Sequence, residues 1–152
     1  MSSGLHRLTV EHVRGDEFVV RLRAHELHTD QPDTDRGPSP IELFVVSLAT
    51  CVAHYSGTYL RRHELSDAGH VVHAEYEMAT DRPARVAEIR VTVQVKTSLT
   101  PQQKAALQAV ANHCTVHNTL RQPPAVEIRV DSGDEGDPAE RAPAGRGNAG
   151  RQ

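Results

Sequence analysis

Apolar and polar residues alternate along "LHRLTVEHV" and again along "EFVVRLR", with Arg14-Gly15-Asp16 between the two runs. A period of two broken by a glycine predicts a half-buried β-hairpin. "AHELHTD" extends the same sheet, and "QPDTDRGPSP", with its prolines and Gly37, predicts a loop. At Ser39 the period changes. Ser39 suits an N-cap, Pro40 the first helical position and Glu42 the third, a capping box that opens a helix. From Ile41 this helix is apolar on nearly every side until Arg61-Arg62-His63, whose charge suits a helix C-terminus. A helix of that kind is a central one, covered by a sheet and by other helices or subunits.

Alternation returns in "HVVHAEYEMA" and "ARVAEIRVTVQVKTSL", which predict a second hairpin around "TDRPA". Thr100, Pro101 and Gln103 open a shorter helix through "PQQKAALQAVANH", with Leu107, Val110 and Ala111 as its apolar stripe. "CTVHNTL" opens a further helical turn capped by Cys114 or Thr115, and "AVEIRV" has the pattern of a last strand. From Asp131 onward "DSGDEGDPAERAPAGRGNAGRQ" has no apolar period, so residues 131–152 are expected to be a disordered tail. Residues 1–130 are expected to form one α+β domain, with antiparallel sheet segments around a long central helix.

Composition narrows the function. The 152 residues are 38% hydrophobic and 3% aromatic, with no tryptophan, a thin core for a monomer of this length. Some apolar surface is therefore expected to be buried between subunits. A net charge of −3 and few stacking aromatics argue against a nucleic-acid or anionic-membrane partner. The mainly apolar part of the central helix, Leu43 to Ala53, is eleven residues, where a membrane span needs about twenty. The start "MSSGLHRLTVEHVRG" lacks a basic region followed by an apolar run, so no secretory signal is expected and the cytoplasm is the expected address. Two cysteines in that compartment do not predict a structural disulfide.

The chemistry rests on those two cysteines, Cys51 deep in the apolar helix and Cys114 where the second helix ends. Burial as small apolar residues is one reading. A reactive pair is another, because a thiol at a helix N-terminus gains thiolate character from exposed N–H groups. A third is zinc: both cysteines open a Cys-x-x-His, Cys51–His54 and Cys114–His117, and two such pairs make a Cys₂His₂ ligand set. The ten histidines make chance spacing easy, and no metal or cofactor is the preferred expectation.

"GPSPIELFVVSLATCVA", followed about sixty residues later by "HCTVHNTL", resembles the OsmC/Ohr superfamily. The resemblance runs from about His6 to Val130, and within that superfamily it is closer to the less characterised OsmC-like branch. It implies an intertwined homodimer and a thiol peroxidase acting on organic hydroperoxides or hydrogen peroxide, reduced by an external thiol. Cys51 is then the peroxidatic cysteine and Cys114 the resolving one. The resemblance also implies an arginine that holds the thiolate, itself held by a glutamate directly after the helix-opening proline. Ile41 occupies that place here and the carboxylate is Glu42, turned by about 100° around the helix. Arg14 and Arg36 are both candidates for the arginine. His117 follows the second cysteine where the family has a Cys-Pro turn and is a further candidate to assist the thiolate. The same fold without turnover would be a small-molecule-binding protein.

Overall fold

A computed structural model describes residues 6–65 and 69–132. The tail expected beyond residue 131 falls almost entirely outside the described residues. The chain runs through β1 (Thr9–Arg14), β2 (Glu17–Leu22), β3 (His25–Thr29), α1 (Pro40–Arg62), β4 (His70–Met78), β5 (Val86–Val95), α2 (Pro101–Ala111) and α3 (Thr115–Arg121). Strands β1, β2 and β3 form one antiparallel sheet in that order, and β4 with β5 a second. The fold is α+β, as the alternating patterns predict.

Both predicted helix starts are capped as the sequence implies. Ser39 accepts from the N–H of Glu42, and Thr100 from that of Gln103. The side chains of Glu42 and Gln103 reach back to the N–H groups of the caps, so orphan donors at each helix start are satisfied reciprocally. Helix α1 buries the stripe Val45, Leu48, Val52, Ser56, Gly57 and Leu60, whose three- and four-residue spacing puts one face on β4 and β5. Gly57 lets His70 of β4 come close. A Cβ at that position would stand 3.1 Å from the imidazole, whose Nε2 lies 3.1 Å from the Ala53 carbonyl. By length and composition α1 could cross a membrane; here its buried stripe packs on β4 and β5, and the helix also meets α2 and α3.

Leu60 is completely enclosed. Leu60→Ala removes its packing and leaves a cavity, and should cost about 2–5 kcal/mol. Urea unfolding measures the difference; a loss below about 1 kcal/mol would mean that the site collapses around the smaller side chain.

The loop between β3 and α1 is organised by a carboxylate that the sequence pattern does not single out. Asp30, buried, accepts from the Thr34 hydroxyl (2.6 Å) and from the N–H groups of Gln31 (2.8 Å) and Arg36 (3.3 Å). These bonds hold its carboxyl below the usual aspartate value, the Thr34 hydroxyl contributing most. The loop lies close on β3 at Gly37, where any Cβ would collide with the carbonyl of His28. Here glycine is required for close approach rather than for a positive φ.

Two apolar surfaces stay uncovered. Across the first sheet, Val10 stands opposite Val20 and Val20 opposite Leu27. Val10 and Leu27 are exposed, as are Phe18 and Leu22 on the same face. Ile41, Phe44 and Val46 of α1 are exposed as well. The expected last strand is a correction. "AVEIRV" adopts no ladder in the chain, and Val126, Ile128 and Val130 are 78%, 87% and 93% exposed. Alternation supplies a strand's side chains, but only a neighbouring edge supplies its hydrogen bonds.

Candidate functional site

Both cysteines are free, and the fold brings them together. Cys51 projects from α1 beside the buried stripe, half-buried, one residue before Val52. Cys114 lies in the tight junction between α2 and α3 and is 0% exposed. It joins Leu48, Val52 and Ala111 in one cluster, with Cys51, Tyr55 and Val116 packed against it. The thiols are close enough for Cys51 to disfavour ionisation of Cys114.

Cys114 is the N-cap of α3. Its extended backbone turns its Sγ onto the N–H of His117 at 3.4 Å, where a serine or threonine oxygen more often sits. That donor favours a thiolate, as the sequence argument expects, but burial acts more strongly in the other direction. The Cys114 thiol is pushed above its ordinary value of 9.0, first by desolvation, with the His117 N–H opposing and Cys51 adding to the rise. Cys114 is therefore a neutral thiol at neutral pH, a correction to the expectation for a helix N-terminus. Across the junction, the Tyr55 hydroxyl of α1 is 2.9 Å from the Thr115 hydroxyl.

The assisting residues fall in two places. His117 contributes through its backbone N–H, while its imidazole Nδ1 lies 2.9 Å from the Asn112 carbonyl. Glu42 is occupied as a cap, its Oε2 accepting from the Ser39 N–H at 2.7 Å, which lowers its pKa. It precedes Cys51 by nine residues, about 13 Å of helical rise, and stays away from the thiols within the chain. Arg14 and Arg36, the two alternatives for one role, end on the same carboxylate. Glu17 Oε2 accepts from Arg14 Nε at 3.0 Å and Arg36 Nη1 at 3.1 Å, and His28 Nδ1 lies 3.2 Å from Oε1. The Glu17 side chain is only 10% exposed, and the bonds from Arg14 and then Arg36 hold its carboxyl below the ordinary value.

Glu17 is the member of this charged cluster that sequence reasoning missed. Its one local signal is the position three after Arg14 across a hairpin turn; Arg36 comes from a different element. This charged cluster lies on the first sheet and the loop before α1, whereas Cys51 is eleven residues beyond Pro40, about 16 Å along the helix. Within the chain the arginines and the thiols are separate.

The zinc alternative gains no geometry. His54 is exposed with its ring beside Tyr55, and no three His, Cys, Asp or Glu side chains converge among the described residues. His54 instead lines a groove of about 560 Å³ together with Tyr55, Thr58, Tyr59, Arg62 and Val110, adjoining the thiol cluster through Tyr55.

Two antiparallel sheets, a long core helix bearing one thiol and a capped junction bearing the other define a two-thiol α+β protein. Residues 32–129 match the profile of the family described as OsmC-like protein, and the chain belongs to that family. No curated protein matches the sequence. Among solved structures, it is similar to an osmotic-stress-induced and detoxification-response protein of Psychrobacter arcticus, with a TM-score of 0.68 and 23% identity over 78% of this chain and 90% of that one. An OsmC-like protein of Mycoplasma pneumoniae gives 0.69 and 14% over 80% and 91%. The organic hydroperoxide resistance protein OhrB of Bacillus subtilis gives 0.59 and 13% over 80% and 94%. At these identities the likeness establishes the fold.

Proposed function

We propose that the protein is a homodimeric, cytoplasmic thiol peroxidase that reduces organic hydroperoxides or hydrogen peroxide through Cys51 and Cys114. The observation that carries this reading is the unequal pairing of the two cysteines: one half-exposed thiol beside one fully enclosed thiol. Cys51 can meet a small oxidant and Cys114 can meet Cys51. The Cys51 thiolate attacks the terminal peroxide oxygen, the O–O bond breaks and the leaving alkoxide takes a proton as alcohol. Cys51 is left as a sulfenic acid. The Cys114 sulfur then attacks the Cys51 sulfur, a disulfide forms, and the departing hydroxide takes a proton as water. An external thiol returns both cysteines to the reduced state by exchange.

The hydroperoxide resistance named for the Bacillus subtilis neighbour agrees with this reading. A second chain supplies what one protomer lacks. The open row of Val10, Val20 and Leu27, the unpaired 125–130 segment and the exposed apolar residues of α1 all call for a partner. A partner's Arg14–Glu17–Arg36 cluster is the source we assign to the cation that the Cys51 thiolate needs.

Counting free thiols after addition of an alkyl hydroperoxide tests the reading. Two thiols per chain should fall to none as one equivalent of peroxide is consumed, and an external dithiol should restore both. Persistence of both thiols under excess peroxide sinks it and leaves the tyrosine-lined groove as the basis for a binding function without turnover.

A further inference from the structure

Tyr55 and Thr115 join the two elements that carry the cysteines. Tyr55 is four residues after Cys51 on α1, so the two side chains share a helix face. Thr115 directly follows Cys114 and is the first residue of α3. Their hydroxyls meet at 2.9 Å although they lie 60 residues apart in sequence. The Tyr55 ring also packs against the cluster containing Cys114. Among the described residues, no other side-chain hydrogen bond joins α1 to α3. The Cys114 sulfur is engaged with its own helix, and the His117 imidazole with the end of α2.

Resting on the thiol-pair reading above, we infer that the Tyr55–Thr115 hydrogen bond is the positioning device that holds Cys114 against Cys51 for disulfide formation. The two hydroxyls are bonded to each other and take no part in the chemistry at sulfur. They act through the place of the α3 N-terminus on α1. A disulfide accepts only a narrow separation between its Cβ atoms, so a small drift of α3 removes the pair from reach. Since α3 is only seven residues long, it has little packing of its own to resist that drift. The bond serves the second chemical step, in which the Cys51–Cys114 S–S bond forms and the sulfenic oxygen leaves as water. It has no part in the first, the attack of Cys51 on peroxide.

Tyr55→Phe keeps the ring and removes the hydroxyl; Thr115→Ala removes the partner, and Thr115→Ser restores it. In the full-length protein, mixing with one equivalent of cumene hydroperoxide and trapping with dimedone separates the steps by mass spectrometry. Tyr55→Phe and Thr115→Ala should make the sulfenic acid at the wild-type rate and convert it to disulfide about two- to tenfold more slowly, the range that loss of one net hydrogen bond gives. Thr115→Ser should behave as wild type, and the double variant Tyr55→Phe/Thr115→Ala no worse than either single one. The Cys51–Cys114 equilibrium in glutathione buffers reads the same tie without peroxide. Its disulfide should become easier to reduce by the same factor in both hydroxyl-deleting variants, about 30 mV per tenfold. Wild-type condensation and an unshifted glutathione midpoint in Tyr55→Phe overturn the inference. A shifted midpoint in a protein that fails to react with peroxide supports the tie while removing the peroxidase reading.

Discussion

Cys51→Ser should lose peroxide consumption by about a thousandfold or more, because a serine hydroxyl neither ionises near neutral pH nor forms a sulfenic acid. Cys114→Ser should differ in kind. It consumes one equivalent of peroxide per chain, stops with Cys51 as a trappable sulfenic acid and turns over only if the external thiol attacks that sulfur directly. Stopped-flow peroxide consumption with dimedone trapping distinguishes the two variants. Equal loss in both would remove the division of labour, and a Cys51→Ser protein as fast as wild type would remove the mechanism. The condensation step carries its own pH signature. Burial lifts the folded Cys114 thiol above 9.0, so below that value its thiolate fraction, and with it the condensation rate, climbs by about tenfold per pH unit. A plateau of that rate between pH 7 and 8 would contradict the burial argument. The stability sign follows from the same shift. A folded value raised above the unfolded one leaves the Cys114 contribution intact below about pH 9, and the contribution is lost as pH rises through the folded value.

The second large effect concerns assembly. Sedimentation should find a particle of about twice the 16.7 kDa chain mass. Leu27 stands opposite Val20 on the uncovered face of the first sheet. Leu27→Glu places a carboxylate in the proposed interface without a partner, which should weaken association by about 3 kcal/mol, roughly a hundredfold in Kd. If the arginine cluster serves the thiol of the other chain, peroxide reactivity falls in step with dissociation and returns at high protein concentration. A wild-type protein that sediments as a single chain at all concentrations would sink the dimer and, with it, the assignment of the cation.

Features with a local cause were legible in the sequence. Ser39-Pro40-Glu42 and Thr100-Pro101-Gln103 predict both capping boxes because every atom of a capping box lies within four residues. The strands β1 to β5 follow from alternation and from the breaks between the runs. Cysteine spacing alone left packing, metal binding and redox chemistry open; the resemblance chose among them. Features built from distant residues were not legible. Glu17 gathers arginines from a hairpin and from a loop 19 residues on, and Tyr55 meets Thr115 across 60 residues. Burial and Cys51 raise the Cys114 pKa against the His117 N–H, and the sequence shows the helix terminus but not the depth of burial. "AVEIRV" has a strand's pattern without a strand's neighbour, since pairing belongs to whatever edge the segment meets.

Gly37 bears on the charged half of the proposed site in a way that charge alone does not. Only a residue without a side chain lets the loop lie this near the His28 carbonyl of β3. Arg36 is the preceding residue, and from that loop it reaches Glu17 at 3.1 Å. The direction of a cation is thus set by a residue that has no side chain.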